Sequence, residues 1–265
     1  MNSLAYHALD AGLRELLSRV GQYAAAEFQQ FADHLVQYKG ENDPFSYVDV
    51  TCERMLREGC TALLPGSGVI AEELDDTDAQ APLVWVIDPI DGTANYTHGV
   101  PHFCISVALE EEGQAVMGYV YEPLTGNLYH AWRGQGAWYN GQPIRVSRRT
   151  LGEGLTATGF PYDRHAPDRD RHLALIGELQ RRSHGIRRFG SAALDLAWVA
   201  AGRFDAFFEY NLKHWDVAAG ILLVEEAGGR VTDFEGGPGA RRGGNTLATN
   251  GITHPEMLEA IGSLN

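Results

Sequence analysis

The chain has 265 residues, of which 44% are hydrophobic and 10% are aromatic. This composition is sufficient for a buried core and excludes an intrinsically disordered protein. The formal net charge is −14. Such a charge repels phosphate backbones, so we do not expect a general nucleic-acid-binding protein. No apolar run approaches the roughly 20 residues that a membrane-spanning helix needs.

The N-terminus and the cysteines bear on localisation. Residues 1–7 have neither the basic stretch nor the apolar core of a secretory signal. The three cysteines are an odd number without CxxC spacing, which disfavours a disulfide framework. We therefore expect a protein of the reducing cytoplasm. If its substrate is itself an anion, a metal ion is the usual means of neutralising that charge locally.

In the N-terminal half, two helices are predicted to precede a series of strands. Leucines spaced by three and four predict a helix over about residues 4–31. The polar residues 38–47 predict a loop or turn, and a second helix is expected over 49–64 with Asp49 as its N-cap. Strands are predicted over residues 69–71, 83–87, 104–109 and 115–121. Asn140-Gly141 predicts a hairpin turn within residues 131–146.

The C-terminal half alternates between helices and strands. Helices are predicted over about residues 190–201, 215–226 and 255–261, the last beginning with a proline. Strands are predicted over residues 206–208, 230–232 and 246–249. No internal repeat, low-complexity tract or linker is visible. The pattern predicts a mixed α and β protein with two lobes in one chain.

The most informative stretch is residues 85–96, Trp-Val-Ile-Asp-Pro-Ile-Asp-Gly-Thr-Ala-Asn-Tyr. A buried strand is predicted to end at Asp88, and Pro89 suits a turn that lets Asp88 and Asp91 converge. The carbonyl of Ile90 would lie between them. Two carboxylates and a carbonyl are hard oxygen ligands suited to Mg²⁺. A helix beginning after Gly92 would offer free N–H groups to a phosphate.

Two further acidic sites lie in suggestive positions. Glu72 and Glu73 follow the predicted strand 69–71, at a sheet edge where α/β proteins form ligand sites. The alternative is a solvated acidic run that continues to Asp78. Asp216 lies in the first turn of an alanine-rich helix, where the alternative role is a helix cap. The HExxH, P-loop, GxSxG and complete dinucleotide-binding motifs are absent from the sequence.

Together these motifs resemble those of the inositol monophosphatase family. Residues 85–98 resemble the first signature of the family and residues 215–229 the second. The paired glutamates also match, and residues 188–197 and 202–205 are similar to the bacterial branch. The resemblance covers residues 1–265 in order. Ala71 and Leu74 depart from it, since the family usually has Gly before the glutamates and Ser after them.

The resemblance implies an α+β fold, a layered αβαβα sandwich of the sugar-phosphatase type shared with fructose-1,6-bisphosphatase. It implies one domain with an N-terminal α+β lobe over about residues 1–147 and a C-terminal α/β lobe over about residues 148–265. It also implies a homodimer. The implied reaction is Mg²⁺-dependent hydrolysis of a small phosphorylated polyol, first of all myo-inositol 1-phosphate, without a covalent intermediate.

The resemblance also implies a set of metal ligands. By motif, Glu72, Asp88 and the Ile90 carbonyl bind the first Mg²⁺ ion. Asp88, Asp91 and Asp216 bind the second. Carboxylates crowded in this way repel one another until a cation binds, so we expect a site that depends on its metal.

The remaining site residues follow from the same resemblance. Glu72 and Thr93 orient the attacking water, which makes these two residues and Asp88 the expected catalytic group. The backbone N–H groups of Gly92 and Thr93 hold the phosphate. The residues expected around the polyol are Asp91, Gly190, Ser191, Ala192, Glu209 and Asp216.

Other functions remain open at this stage. Within the same fold the alternatives are phosphatases of fructose 1,6-bisphosphate, histidinol phosphate or 3′-phosphoadenosine nucleotides. The run over residues 92–96 favours the inositol branch over the nucleotidases. An alternative of another class is a regulatory protein, because some bacterial relatives act on transcription or RNA processing through protein contacts. We expect neither general nucleic-acid binding nor membrane attachment.

Overall fold

The structure, a computed structural model, describes residues 3–31, 37–40, 43–160 and 168–264. Within these residues the helices are α1 Ser3–Phe28, α2 Tyr47–Leu63, α3 Thr93–Thr97, α4 Arg169–Arg182, α5 Ala192–Ala200, α6 His214–Glu226 and α7 His254–Gly262. The first nine strands are β1 Gln37–Gly40, β2 Asp43–Phe45, β3 Gly68–Ala71, β4 Leu83–Asp91, β5 Cys104–Glu111, β6 Gln114–Glu122, β7 Asn127–Trp132, β8 Gly136–Tyr139 and β9 Gln142–Ile144. The remaining strands are β10 Leu155–Thr158, β11 Gly185–Arg187, β12 Ala206–Leu212, β13 Arg230–Thr232 and β14 Gly244–Thr249.

The strands form two large sheets and one small ribbon. The seven-stranded sheet has the order β3-β4-β5-β6-β7-β8-β9, in which β3 runs parallel to β4 and the other neighbours are antiparallel. The five-stranded sheet has the order β11-β10-β12-β14-β13. Here β10 is parallel to both its neighbours, and β14 is antiparallel to β12 and β13. The ribbon consists of β1 and β2.

Three hydrophobic clusters explain how helices and sheets are layered. In the first, α1 and α2 pack on one face of the seven-stranded sheet. In the second, α5 and α6 lie between the two sheets, and almost every residue of α5 is buried, as expected of a helix that is apolar all round. In the third, α4 and α7 cover the outer face of the five-stranded sheet. The layer order confirms the predicted αβαβα sandwich.

Close backbone packing fixes α6 against the seven-stranded sheet. A Cβ atom built on Gly118 of β6 would lie 3.0 Å from the carbonyl oxygen of Ala219 in α6. A Cβ atom on Gly220 would lie 2.5 Å from Cδ1 of Leu196 in α5. The two glycines therefore allow α6 to approach both the sheet and its neighbouring helix. This packing holds the helix whose first turn carries Asp216.

Several sequence predictions hold closely. The strand over residues 230–232 has the predicted limits, and α7 begins with Pro255 in its first turn. The turn between β8 and β9 has positive φ angles at Asn140 (48°) and Gly141 (76°), as the predicted hairpin requires. In the part of the chain that the structure describes, no helix is long and apolar enough to cross a membrane.

The prediction of a loop over residues 38–47 was wrong. These residues contribute to β1 and β2, and α2 already begins at Tyr47. Residues 41 and 42 lie outside the described residues. The two strands are only four and three residues long and pair only with each other, so their sequence is too short to show the alternation typical of a longer strand.

The assignment of Asp49 as the N-cap of the second helix was also wrong. Ser46 is the N-cap, and its hydroxyl oxygen accepts a hydrogen bond from the N–H of Val48 at 3.1 Å. Asp49 is the third helical residue and accepts the Ser46 N–H through Oδ2 at 2.8 Å. The two residues form a capping box, so Asp49 lies one turn inside the helix, with its other carboxylate oxygen directed elsewhere.

The sequence did not predict the elements between β9 and α5, which are β10, α4 and β11. Helix α5 begins at Ala192 rather than at residue 190. Helix α4 buries only His172, Leu175 and Leu179, whereas Ile176 is partly buried and Leu173 is exposed. So narrow an apolar stripe gives a weak periodic signal. Residues 161–167 lie outside the described residues. The division into lobes near residue 147 stays a prediction.

Candidate active site

A β-bulge brings the carboxylates at the end of β4 together. The strand continues through Asp91 and does not end in a turn at Asp88, so the predicted turn was wrong. Asp88 pairs with Ser106 and Asp91 with Cys104, so β4 advances three residues while β5 advances two. Residues three apart in a regular strand point to opposite faces, and the extra residue removes that alternation. Pro89, which has no N–H group, suits such a bulge.

Asp88 is a buried carboxylate surrounded by other acidic side chains. Its side chain is buried, and Oδ1 accepts the N–H of Ile90 at 3.0 Å. Burial raises the pKa of Asp88 well above its usual range. The negative charges of Glu72, Asp91 and Asp216 raise this pKa further. The structure therefore brings together the four carboxylates that were predicted from three separate stretches of sequence.

Asp91 connects this strand to the start of α5. Its Oδ2 accepts hydrogen bonds from the Ser191 hydroxyl at 2.7 Å and from the Ala193 N–H at 2.6 Å. Its Oδ1 lies 3.3 Å from the N–H of Ala192. The carboxylate thus satisfies the free N–H groups of the helix start, where a negative charge is favoured. Burial raises the pKa of Asp91, and these hydrogen bonds oppose the rise.

Thr93 lies at the first position of α3 and is nearly buried. Its hydroxyl lies 3.0 Å from Oδ1 of Asp49 and 3.0 Å from the carbonyl oxygen of Ile90. When the hydroxyl donates its proton to Asp49, the lone pairs of its oxygen remain available to accept a hydrogen bond from a water molecule. Asp49 is therefore a candidate site residue, which the sequence indicated only as a helix cap.

Glu209 and Asp216 approach the same region from β12 and from the first turn of α6. Burial raises the pKa of Glu209 to about 8, and the charge of Asp216 contributes to the rise. Gly159 makes room for this carboxylate, because a Cβ atom there would lie 2.1 Å from both of its oxygens. Asp216 accepts the N–H of Lys213 at 2.6 Å and so caps α6, as the alternative interpretation of the sequence had it.

Two glycines bring their backbones together between β4 and α5. Gly92 has a φ of 103° and caps the short helix α3. A Cβ atom on Gly92 would lie 3.1 Å from the carbonyl oxygen of Gly190. Gly190 has a φ of 85°, and a Cβ atom there would lie 2.5 Å from Nη1 of Arg188. Larger residues would be strained at both positions.

Asp195 in α5 is a second residue that sequence reasoning missed. It is buried, and among the described residues one of its carboxylate oxygens has no hydrogen-bond partner. Burial and the charges of Glu209 and Asp91 raise its pKa well above the usual range, whereas Arg188 opposes the rise. The available signal was a lone aspartate within the apolar helix Ala192–Ala200, since buried charged residues are rare without a specific role.

The carboxylates are close enough to interact but do not form a closed cluster. Within the described ranges, no three His, Cys, Asp or Glu side chains are already arranged as a metal site. Asp88, Asp91 and Asp216 each accept backbone hydrogen bonds instead. The group that could hold a divalent cation therefore consists of these three aspartates, Glu72 and the Ile90 carbonyl.

Comparison with known proteins shows which family this chain is similar to. The inositol monophosphatase family model matches residues 6–264. An inositol-1-monophosphatase of Rhizobium meliloti is 40% identical over 262 residues, which cover 97% of this chain and 97% of that protein. The Nus factor SuhB of Escherichia coli is 43% identical over 227 residues, 84% of this chain and 82% of that protein. The crystal structure of the extragenic suppressor protein suhB from Bartonella henselae has a TM-score of 0.90 and 37% identity, covering 96% of this chain and 98% of that one. The chain belongs to the inositol monophosphatase family.

Proposed function

We propose that this protein is a Mg²⁺-dependent phosphate monoester hydrolase that converts myo-inositol 1-phosphate to inositol and phosphate. One observation carries the proposal. Asp88 is buried among the negative charges of Glu72, Asp91 and Asp216, in a chain of a family whose relatives are named inositol-1-monophosphatase. So many acidic groups in one place favour a bound cation and an anionic substrate that shares it.

The chemistry of the donor set fits Mg²⁺. All the proposed donors are oxygen atoms, namely the carboxylates of Glu72, Asp88, Asp91 and Asp216 and the carbonyl of Ile90, and hard cations prefer such ligands. A cation would also relieve the repulsion that raises the pKa of Asp88. Bound Mg²⁺ would supply Lewis-acid chemistry, lowering the pKa of a coordinated water and neutralising charge on the phosphoryl group.

The side chains of this protein would position the attacking water. Thr93 donates to Asp49, so its hydroxyl oxygen is oriented to accept a hydrogen bond from the water. The Glu72 carboxylate would accept the proton of the water as attack proceeds. Asp49 thus acts one step away from the water, because it fixes the direction of the Thr93 hydroxyl.

The substrate would be held between the two lobes. The N–H groups of Gly92 and Thr93 would bind the phosphate at the start of α3, since backbone N–H groups are good anion ligands. On the opposite side, Asp91, Gly190, Ser191, Ala192, Glu209 and Asp216 would surround the polyol. The carboxyl group of Glu209 would form a hydrogen bond with a substrate hydroxyl.

A panel of substrates tests the proposal. The panel contains myo-inositol 1-phosphate, fructose 1,6-bisphosphate, histidinol phosphate, a 3′-phosphoadenosine nucleotide and an aryl phosphate, each assayed with Mg²⁺ and with EDTA. We expect the highest kcat/KM for the inositol phosphate and no turnover in EDTA. Preference for another ester would keep the reaction class but change the substrate. No turnover of any ester would contradict the proposal.

A regulatory role is a second candidate, because the relative that is 43% identical is named a Nus factor. A pull-down from lysate without added substrate, with identification of the captured proteins, tests this role. Asp88→Asn provides the matched bait, since a role in protein binding should survive the loss of hydrolysis. Recovery of the same proteins by both baits would support it, and recovery of none would count against it.

We also propose a cytoplasmic homodimer. Light scattering coupled to size-exclusion chromatography measures the mass of the assembly, and cell fractionation measures the location. A monomer at all accessible concentrations, or recovery outside the cytoplasmic fraction, would contradict these two proposals.

A further inference from the structure

A buried glutamate in the middle of α2 binds the backbone just after Glu72. Glu53 is fully buried, which is rare for a glutamate. Its Oε2 accepts the N–H of Glu73 at 2.6 Å, and its Oε1 accepts the N–H of Leu74 at 3.0 Å. One carboxylate therefore binds two consecutive N–H groups of the segment that follows β3.

Arg57, one helical turn later, completes this contact. Its Nε lies 2.7 Å from Oε1 of Glu53, so the buried carboxylate has a charged partner. Its Nη2 donates to the carbonyl oxygen of Leu74 at 2.8 Å, and Nη1 to the hydroxyl of Thr77 at 3.3 Å. Glu53 and Arg57 thus hold both N–H and C=O groups of one short loop, an arrangement that restrains its position and its orientation.

The same helix also holds Thr93. Asp49 precedes Glu53 by four residues, so the two carboxylates lie on the same face of α2. Asp49 accepts the Thr93 hydroxyl, whereas Glu53 binds the loop that carries Glu72. One rigid helix is therefore in contact with both of the elements that would position the attacking water.

We propose that Glu53 and Arg57 are positioning residues that hold Glu72 against the repulsion of Asp88. The proposal rests on the proposed function for the role of Glu72. The charge of Glu72 raises the pKa of Asp88, so the two carboxylates repel each other in the absence of a cation. The loop after Glu72 is largely exposed and continues into the acidic residues Asp75, Asp76 and Asp78. The hydrogen bonds that Glu53 and Arg57 form with this loop restrain the position of Glu72 next to Asp88.

The test measures the affinity of the purified protein for Mn²⁺ in the absence of substrate. The electron paramagnetic resonance signal of free Mn²⁺ reports how much of the ion remains unbound. Glu53→Gln keeps the size of the side chain but leaves one backbone N–H facing an amide N–H₂ group. We expect Mn²⁺ to bind about tenfold more weakly, the lower end of the loss seen when a group supporting a metal ligand is removed. Glu58→Gln is the control, because it removes the same charge from an exposed position of the same helix. It should bind Mn²⁺ as the wild type does.

A double-mutant cycle separates positioning from stability. If Glu53 acts through Glu72, adding Glu53→Gln to Glu72→Gln should weaken Mn²⁺ binding no further. An equal additional loss in that background would overturn the proposal. So would wild-type Mn²⁺ affinity in Glu53→Gln together with a lowered melting temperature, because the contact would then only stabilise the fold. Arg57→Lys keeps the charge but cannot reproduce the planar contacts of the guanidinium group. Its affinity for Mn²⁺ should therefore lie between those of the wild type and Glu53→Gln.

The outcome is distinguishable from failure of the proposed function. If the wild type binds Mn²⁺ but hydrolyses no phosphate ester, the hydrolase proposal fails, and Mn²⁺ affinity still decides the role of Glu53. If hydrolysis is observed and Glu53→Gln matches Glu58→Gln in Mn²⁺ affinity, the hydrolase proposal stands and the positioning role is wrong.

Discussion

Replacement of Thr93 by valine should separate catalysis from stability. Valine keeps the shape of threonine but removes the hydroxyl that donates to Asp49 at 3.0 Å. If the hydroxyl positions the attacking water, kcat should fall about 10²–10⁴-fold, the scale of positioned acid–base help. That loss corresponds to about 3–5 kcal/mol of activation free energy.

The effect on stability should be smaller. Oδ1 of Asp49 would lose its contact with Thr93, whereas Oδ2 keeps the two hydrogen bonds from Ser46. A buried acceptor left without a partner costs about 1–3 kcal/mol. For a chain of this size, each 1 kcal/mol lowers the melting temperature by roughly 2–4 °C. The variant should therefore stay folded at the assay temperature, and the fall in kcat cannot come from unfolding.

The assay is kcat on myo-inositol 1-phosphate at saturating Mg²⁺, with a thermal melt on the same preparation. Thr93→Ser should remain active because it keeps the hydroxyl. Thr97→Val removes another buried hydroxyl from α3, one that donates to the Ala94 carbonyl at 3.2 Å, and should leave kcat unchanged. A lowered melting temperature with kcat intact in Thr93→Val would refute the catalytic role and leave Thr93 as a helix-start residue.

Three further predictions concern Asp88 and Glu209. Asp88→Asn should nearly abolish hydrolysis, because Asp88 is proposed to bind both Mg²⁺ ions. If the variant kept most of its activity at the Mg²⁺ concentration used for the wild type, this assignment would be contradicted. Glu209→Gln should cost about 1.5–3 kcal/mol in kcat/KM on the inositol substrate and less on an aryl phosphate; equal losses would exclude a polyol contact. The pKa of Glu209 rises from 4.5 to about 8 on folding. The folded state therefore holds a proton that the unfolded state releases, and this contribution to stability is lost as the pH rises from about 4.5 through 8. Melting temperatures in EDTA should fall over that range more steeply for the wild type than for Glu209→Gln, and parallel curves would show that Glu209 does not titrate there.

Local signals in the sequence were enough to predict many of the helices and strands. Turn chemistry located the hairpin at Asn140, where a positive φ favours Asn and Gly. Hydrophobic runs located β4 and α6, because both are buried on nearly all sides. The same logic failed for β1 and β2, which pair only with each other, and for α4, which buries a narrow stripe. Strands of three or four residues and a helix with a narrow buried stripe both carry little periodic signal in the sequence.

The candidate site was harder to predict where its residues act through partners far along the chain. The contact of Asp49 with Thr93 joins residues 44 positions apart, and that of Asp91 with Ser191 joins residues 100 positions apart. No local pattern in a single sequence reveals such pairs. The convergence of Asp88 and Asp91 was expected, but the cause was not, because the Asp-Pro pair suits a bulge as well as a turn. Motif resemblance supplied the residues that periodicity could not.

The most direct test of the central claim is phosphate release from myo-inositol 1-phosphate by the purified protein, measured first with Mg²⁺, then after EDTA, and again after Mg²⁺ is restored. Asp88→Asn, purified and assayed in parallel, is the matched control for contaminating phosphatases. We predict release that stops with EDTA, resumes with Mg²⁺ and is nearly absent in the variant. No release at any Mg²⁺ concentration, or release that persists in EDTA and in Asp88→Asn alike, would contradict a metal-dependent phosphatase centred on Asp88.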